Sequence, residues 1–251
     1  MQQLSVVIIC KNSAGVIEKT LQSFSGLTDD IVVYDNGSTD NTATIVKQVG
    51  ANFYSGSWEG FGKTKNKANA FAKYNWILSL DADEGIDDDL KNALLQLTLG
   101  HEKEVYSLKF RNFVGNRYLK YGEWGTDHHI RLFNRNDVKW NDAAVHEQLI
   151  IPGEMQIKKL EGYVLHRTTS SFPEYEKKME GYAALNAEKY FRQGIKSVWG
   201  KQWLSAGFSF IKNYIFRLGF LDGKDGLECA RINARYTYLK YKKLMELTGK
   251  K

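Results

Sequence analysis

The sequence predicts an α/β fold, with a mostly parallel sheet through about residue 165 and a C-terminal helical extension beyond it. Three observations predict this. Two short apolar runs, Ile31-Val32-Val33-Tyr34 and Trp76-Ile77-Leu78-Ser79-Leu80, stop abruptly at Asp35 and Asp81. Runs of this kind read as central strands covered on both faces. Strand and helix patterns alternate from Gln3 to Ser55, which requires parallel strands with right-handed crossovers. Past Ser170 the periodicity is helical to the end.

The elements follow in order. Gln3 to Cys10 is the first strand, with Asn12 or Ser13 suited to cap the helix that carries Ile17, Leu21 and Phe24. Ile31 to Tyr34 is the second strand, and Thr39 or Asp40 can cap a helix ending before Gly50. Ala51 to Ser55 is a third. The loop Gly56 to Gly62 leads into a lysine-rich helix start with Lys63, Lys65 and Lys67, which reads as an anion site. Trp76 to Leu80 is the fourth strand, and Asp87, Asp88 and Asp89 serve the next helix as capping and dipole charges. Glu104 to Phe113, His128 to Phe133, Val138 to Trp140 and Gln148 to Ile151 are β-like, and Pro152-Gly153 is a turn. Tyr118, Tyr121 and Trp124 suit sugar stacking or plain packing equally. Ser171 can cap a helix with Pro173 near its start. Trp203, Leu204, Phe208, Ile211, Ile215 and Leu218 form an apolar stripe. Its longest uncharged stretch, Gln202 to Ile211, is too short to cross a membrane. The stripe is either an interfacial amphipathic helix, with Lys201, Lys212 and Arg217 beside it, or a buried one. Leu227, Ala230, Ala234, Tyr238, Tyr241 and Met245 make a last stripe, for core or dimer packing.

The strand ends carry the chemistry. In open α/β sheets ligands bind in the crevice beyond the carboxyl ends of the strands. Asp35-Asn36-Gly37-Ser38-Thr39-Asp40 and Asp81-Ala82-Asp83-Glu84 both lie at such ends, which suits a cation and a polar, phosphorylated ligand. No complete Gly-x-Gly-x-x-Gly follows the first strand, against a dinucleotide enzyme.

Charge is uneven. The net is +6, but residues 1–153 hold 16 basic and 19 acidic side chains, and residues 154–251 hold 19 basic and 10 acidic. The C-terminal excess of +9 points to an anionic partner. Nucleic acid is disfavoured, since no reading motif accompanies the lysines. A membrane surface fits better, at about 1 kcal/mol per basic residue near it. Cys10 and Cys229 have no metal-ligand spacing and read as buried thiols in a reducing compartment. With a strand starting so near the N-terminus, no signal peptide is expected.

Val6-Val7-Ile8-Ile9 with Lys11-Asn12, then Asp35 to Asp40, then Asp81-Ala82-Asp83, in this order and spacing, resemble the inverting nucleotide-sugar glycosyltransferases of family two, which have the GT-A fold. Arg131-Leu132-Phe133, Val145-His146-Glu147 and Leu218 to Gly223 extend the resemblance over nearly the whole chain. That longer pattern is similar to the bacterial β-1,4-glucosyltransferases of the lipopolysaccharide core. The resemblance implies a GT-A domain over residues 1–165 and a basic helical extension over 166–251. It implies that Asp35 bonds uracil with Gly37 and Ser38 allowing close approach, and that Asn12, Lys65 and Asn66 lie on the nucleotide side. It implies that Asp83 ligates Mg²⁺ or Mn²⁺, with Asp81 and Ala82 completing the D-x-D segment and Asp81 aiding the metal through water or holding ribose. Many members carry a Glu-Asp pair shortly before Arg-Leu. Here Thr126-Asp127 stands in that place, so Asp127 is the first choice for general base and Glu147 the second, while His146 and His166 could assist as a metal or phosphate ligand. The expected reaction is hexose transfer, glucose foremost, from a UDP-sugar to a lipid-linked or lipopolysaccharide-core acceptor at the inner face of the cytoplasmic membrane. A polyprenyl phosphate acceptor, which needs no base, and a non-catalytic nucleotide-sugar-binding protein are the competing readings.

Overall fold

The structure, a computed structural model, describes residues 1–100, 103–125, 127–143 and 147–249. The chain divides into two compact units, Met1–Phe110 with Asp127–His166, and Arg111–Thr126 with Arg167–Lys251.

The first unit is built on a mixed sheet. Strands β1 (Leu4–Cys10), β2 (Ile31–Asp35), β3 (Asn52–Ser55) and β4 (Trp76–Asp81) are parallel in the order β3-β2-β1-β4. Every residue of β1 is buried. Val6 and Ile8 enter one core with Ile17, Leu21 and Phe24, while Val7 and Ile9 enter another with Ala68, Phe133 and Trp140. A strand covered on both faces must be apolar throughout, which is why its sequence shows no alternation. The helices are α1 (Ile17–Ser23), α2 (Thr42–Gln48), α3 (Phe61–Ala70) and α4 (Asp88–Gln96). Asp87 caps α4, its carboxylate accepting from Leu90 N at 2.9 Å.

Beyond β4 the sheet turns antiparallel. It continues through β8 (His128–Asn134), β6 (Glu104–Val114), β11 (Gln156–Thr169) and β5 (Glu84–Ile86), in the order β4-β8-β6-β11-β5. β9 (Lys139–Trp140) and β10 (Leu149–Ile150) form a separate two-stranded ribbon. The fourteen-residue β11 has no counterpart among the sequence expectations. Within it Gly162, at φ +85°, approaches the backbone of Leu90 so closely that there is no room for a Cβ.

Two caps differ from expectation. Neither Asn12 nor Ser13 caps α1, which begins later, at Val16, without a side-chain cap. Asn12, at φ +52°, instead accepts from Thr39 N at 2.8 Å and ties the end of β1 to the loop after β2. For α2 the cap position is Asn41, also without a side-chain bond, while Asp40 accepts from Thr42 N inside the first turn.

In the second unit, β7 (Arg117–Leu119) pairs with the end of β6 across the Gly115-Asn116 turn. Helix α5 (Phe172–Arg192) starts as expected, with Ser171 capping and Pro173 in the first turn. Helix α6 (Lys201–Ile211) runs into a π-helical turn, 212–216, then a 3₁₀ turn over Gly219–Asp222 and the long α7 (Gly223–Gly249). Val114, Leu119, Trp124, Tyr175, Cys229 and Ile232 form its core. Trp124 packs edge-on against Tyr175 at 4.9 Å, so of its two expected uses it serves packing. The buried face of α7 carries Ala230, Ile232 and Leu244, while Leu227, expected in its stripe, is exposed. Gly226 is required where it stands: a Cβ there would meet Gly219 O at 1.9 Å.

Candidate active site

Register places the acids. Ile9 pairs with Asp81 and Cys10 with Asp35, so both carboxylates emerge at one edge of the sheet, on either side of β1. Strand ends here meet loops rather than further strand, leaving polar side chains in a concave mouth.

Asp35 is nearly buried and is spent on its own loop. Its Oδ2 accepts from Gly37 N at 3.0 Å and Ser38 N at 2.9 Å, and its Oδ1 from the Ser38 hydroxyl. Ser38 Oγ in turn accepts from Asn12 N at 2.7 Å. Asn12, Asp35, Gly37 and Ser38 therefore form one connected loop that is already shaped. Beside it lies a cleft of about 400 Å³ lined by Lys11, Asn36, Trp58, Phe61 and Asp81. Trp58 and Phe61 meet edge to face at 4.7 Å with their rings partly exposed. The sequence signal for this wall was thin: two aromatics in a glycine-rich loop, without periodicity.

Asp81 sits in a knot of charge. Lys65, 2% exposed, places its Nζ 3.1 Å from Asp81 Oδ1, donates to Glu147 Oε1 at 2.8 Å and lies 4.6 Å from the centre of the Trp140 ring. Arg131 donates to Glu84 Oε1 at 2.8 Å and lies 3.7 Å from Asp81 Oδ2. Glu84 Oε2 accepts from Asp81 N at 2.9 Å. Burial alone would raise the Asp81 carboxyl, but Lys65 and Arg131 outweigh it and hold it at about 2. Burial dominates at Glu84 and raises it, against the pull of Arg131. The buried Asp81 Oδ1 has the Lys65 ammonium at 3.1 Å as its partner. The buried Asn36 Oδ1, in the lining of the cleft, has no hydrogen-bond donor among the described residues. An orphaned buried oxygen at a cleft marks a place for a ligand.

Asp83, partly exposed, lies 3.5 Å from His166 Nε2. Burial disfavours charge on His166, but Asp83, Glu84 and Asp81 overcome it and raise the imidazole above its ordinary value. Asp127 pairs with His129 at 2.7 Å. The Phe110 ring contacts both imidazoles, at 4.9 Å to His129 and 6.3 Å to His166, so Asp127 and Asp83 belong to one contiguous patch.

Two sequence expectations change character here. The start of α3 is closed by backbone, with Gly62 N donating to Ala143 O at 3.2 Å, and Lys65 is turned inward to carboxylates, so the helix start is not an open anion site. Asn66 uses both ends of its amide on Trp140, donating to its O at 2.8 Å and accepting from its N at 3.0 Å, and thereby fixes the ribbon. His146 lies outside the described residues. Glu84 and Arg131, which complete the knot, carried no sequence signal beyond their place in the quoted motifs.

No group of three or more His, Cys, Asp and Glu side chains is arranged around a metal position among the described residues. Mg²⁺ and Mn²⁺, however, commonly take one or two carboxylates and fill their remaining positions with phosphate oxygens and water. The partly exposed Asp83 carboxylate, with the Asp81 carboxylate two residues before it, supplies the hard oxygens such an ion takes. The residues present fit it.

The chain is similar to known proteins. The chain is 26% identical to a glycosyltransferase of Rickettsia typhi over 264 aligned residues, covering all of this chain and 89% of that one. It is 26% identical to LpsC of Rhizobium meliloti, a lipopolysaccharide core biosynthesis glycosyltransferase, covering 97% and 92% of the two chains. Among solved structures, S. aureus TarS 1–349 in complex with UDP aligns over 99% of this chain and 92% of that one, at 17% identity and a TM-score of 0.48. The family description Glycosyl transferase family 2 matches residues 5–158. The chain belongs to glycosyl transferase family 2, and its mixed α/β unit is of the GT-A kind.

Proposed function

We propose that this glycosyltransferase is a divalent-metal-dependent, inverting enzyme that moves a hexose, glucose foremost, from a UDP-sugar to a lipid-linked or lipopolysaccharide-core acceptor. The observation that carries the reading is the cleft lined by Asp81, with its aromatic wall and the donorless buried Asn36 Oδ1. Uracil lies against Trp58 and Phe61, and the loop held by Asp35, Ser38 and Asn12 presents Asn36 to the nucleoside. Lys11 faces the same cleft and adds positive charge toward a diphosphate. Asp83, assisted by Asp81, holds Mg²⁺ or Mn²⁺, which when bound supplies Lewis acidity at the leaving diphosphate.

Lys65 and Arg131 keep Asp81 ionised across the working pH range, so its carboxylate is ready for that role. The acceptor oxygen attacks the anomeric carbon, the bond to the UDP oxygen breaks with inversion, and the acceptor proton passes to Asp127. Asp127, 35% exposed and paired with His129 at 2.7 Å, is preferred to Glu147, which is 16% exposed and held by the buried Lys65 at 2.8 Å. A base must reach the acceptor hydroxyl directly, which the more exposed of the two acids does more readily. The lipopolysaccharide acceptor is favoured by the near full-length likeness to LpsC. A place at the inner membrane surface is favoured by the basic C-terminal half. No described helix is long and apolar enough to cross a membrane.

Asp83→Ala tests the reading. We expect Mn²⁺-dependent UDP binding to vanish while the fold persists. UDP affinity that is equal with and without Mn²⁺ in the unaltered chain would refute it.

A further inference from the structure

The second unit contains a cleft of about 770 Å³ between α5, α6 and α7, which the transfer chemistry does not use. We propose that this cleft binds the phosphate of a membrane lipid head group while the bare apolar face of α6 and the following turns lies in the bilayer interface. The proposal deepens, and rests on, the membrane-surface part of the function proposed above.

Charge is the first argument. Lys212, Arg217 and Lys240 line the cleft against a single acid, Glu123. On the same unit Arg231 and Arg235 pair with Glu176, Glu180 and Glu228, and Arg117 with Asp225. No carboxylate among the described residues forms an ion pair with Lys201, Lys212 or Lys240, and of these Lys212 and Lys240 line the cleft. Lys240 and Lys201 lie against the same Tyr241 ring, at 4.7 and 4.9 Å from its centre. Burial, and then the neighbouring Lys201, push the Lys240 ammonium below its ordinary value. Two ammonium groups crowded on one ring without a counter-ion describe a site that an anion relieves.

The rim is the second argument, and it selects the source of the anion. Leu204 and Phe208 border the cleft and are 78% and 62% exposed. Trp199, Trp203 and Phe216 continue the same segment, all more than half exposed. A contiguous apolar band of this size marks an interaction surface. Free phosphate has no use for it. A tryptophan-rich apolar face with lysines at its sides is the make-up of a helix lying in a membrane interface. The π-helical turn at 212–216 widens the helix where Lys212 enters the cleft, and such turns are frequent at functional positions.

Flotation of the full chain with phosphatidylcholine vesicles, with and without phosphatidylglycerol, tests the proposal. Thermal melts in inorganic phosphate and donor hydrolysis are measured alongside. We expect strong preference for the anionic vesicles, and a roughly thirtyfold loss of it in the double variant Lys212→Gln with Lys240→Gln, as two lysines near an anionic surface supply. Donor hydrolysis stays unchanged in that variant. Trp203→Ala with Phe208→Ala loses vesicle binding. Equal binding to both vesicle types, or an undiminished preference in the lysine variant, would overturn the cleft as a head-group site. Stabilisation by inorganic phosphate that needs the two lysines, without vesicle binding, would overturn the lipid as its source. No binding to either vesicle would remove the membrane-surface reading too, while donor hydrolysis reports separately on the transferase reading.

Discussion

Lys65→Met removes the cation that joins Asp81 and Glu147. Methionine fills a similar volume beside Trp140, so the change is chiefly electrostatic. Stripping one partner from a fully buried pair destabilises by about 3–5 kcal/mol. Water reaches part of the remaining acids, whose side chains are 36% and 16% exposed, so we expect about 2 kcal/mol. For a chain of this size that lowers Tm by about 4–8 °C. The pH dependence has a definite sign. Asp81 titrates at about 2 in the folded chain against an ordinary 3.8. A depressed carboxyl contributes stability that is fully present above its unfolded value and is lost as pH falls toward the folded one. The difference between the two proteins is therefore largest near neutrality and shrinks between about pH 4 and about pH 2. Thermal melts of metal-free protein across that range measure it. A Tm unchanged to within about 1 °C, or a difference independent of pH, would refute the ionic account of Lys65.

Three further outcomes follow from the same structure. Trp58→Ala with Phe61→Ala weakens UDP binding by about 1–3 kcal/mol, read by titration calorimetry, while the melting temperature moves little because both rings are partly exposed. Gly226→Ala drives a Cβ into Gly219 O and destabilises by about 3 kcal/mol, read by urea unfolding. The Cys10 and Cys229 thiols are raised by burial, Cys229 to about 12. Both should resist a thiol reagent at about pH 8 and react together only on unfolding.

Much of the first unit was legible because its signals are local. β1, β2 and β4 are buried on both faces, and burial of that kind writes a continuous apolar run into the sequence. Asp35 and Asp81 were legible for a related reason: a carboxylate directly after such a run has to be at a strand end. Asp87 and Ser171 declared themselves as caps through the residues that follow them. What stayed hidden depends on partners distant in the chain. β11 pairs with β5 some eighty residues earlier, and only that pairing gives Glu84 and His166 their place. Lys65 reads in isolation as one of three lysines at an anion-binding helix start. Its burial comes from Glu147, Asp81 and Trp140, none of them near it in sequence. Asn66 likewise reads as a ligand contact until its partner is seen to be the Trp140 backbone. The α6 stripe predicts an amphipathic helix, but only the fold shows that its apolar face is left bare.

The central claim is that the cleft beside Asp81 and Asp83 takes a UDP-sugar with a divalent ion. Incubation with UDP-glucose, UDP-galactose, UDP-N-acetylglucosamine and GDP-mannose in turn, with Mn²⁺ and then with chelator, tests it most directly. Donor hydrolysis and thermal shift are recorded for the unaltered chain and for Asp83→Ala. One UDP-hexose should stand out, UDP-glucose foremost, with both signals lost on chelation and in the variant. A response to every donor that survives both chelation and Asp83→Ala, or no response to any, would contradict the claim.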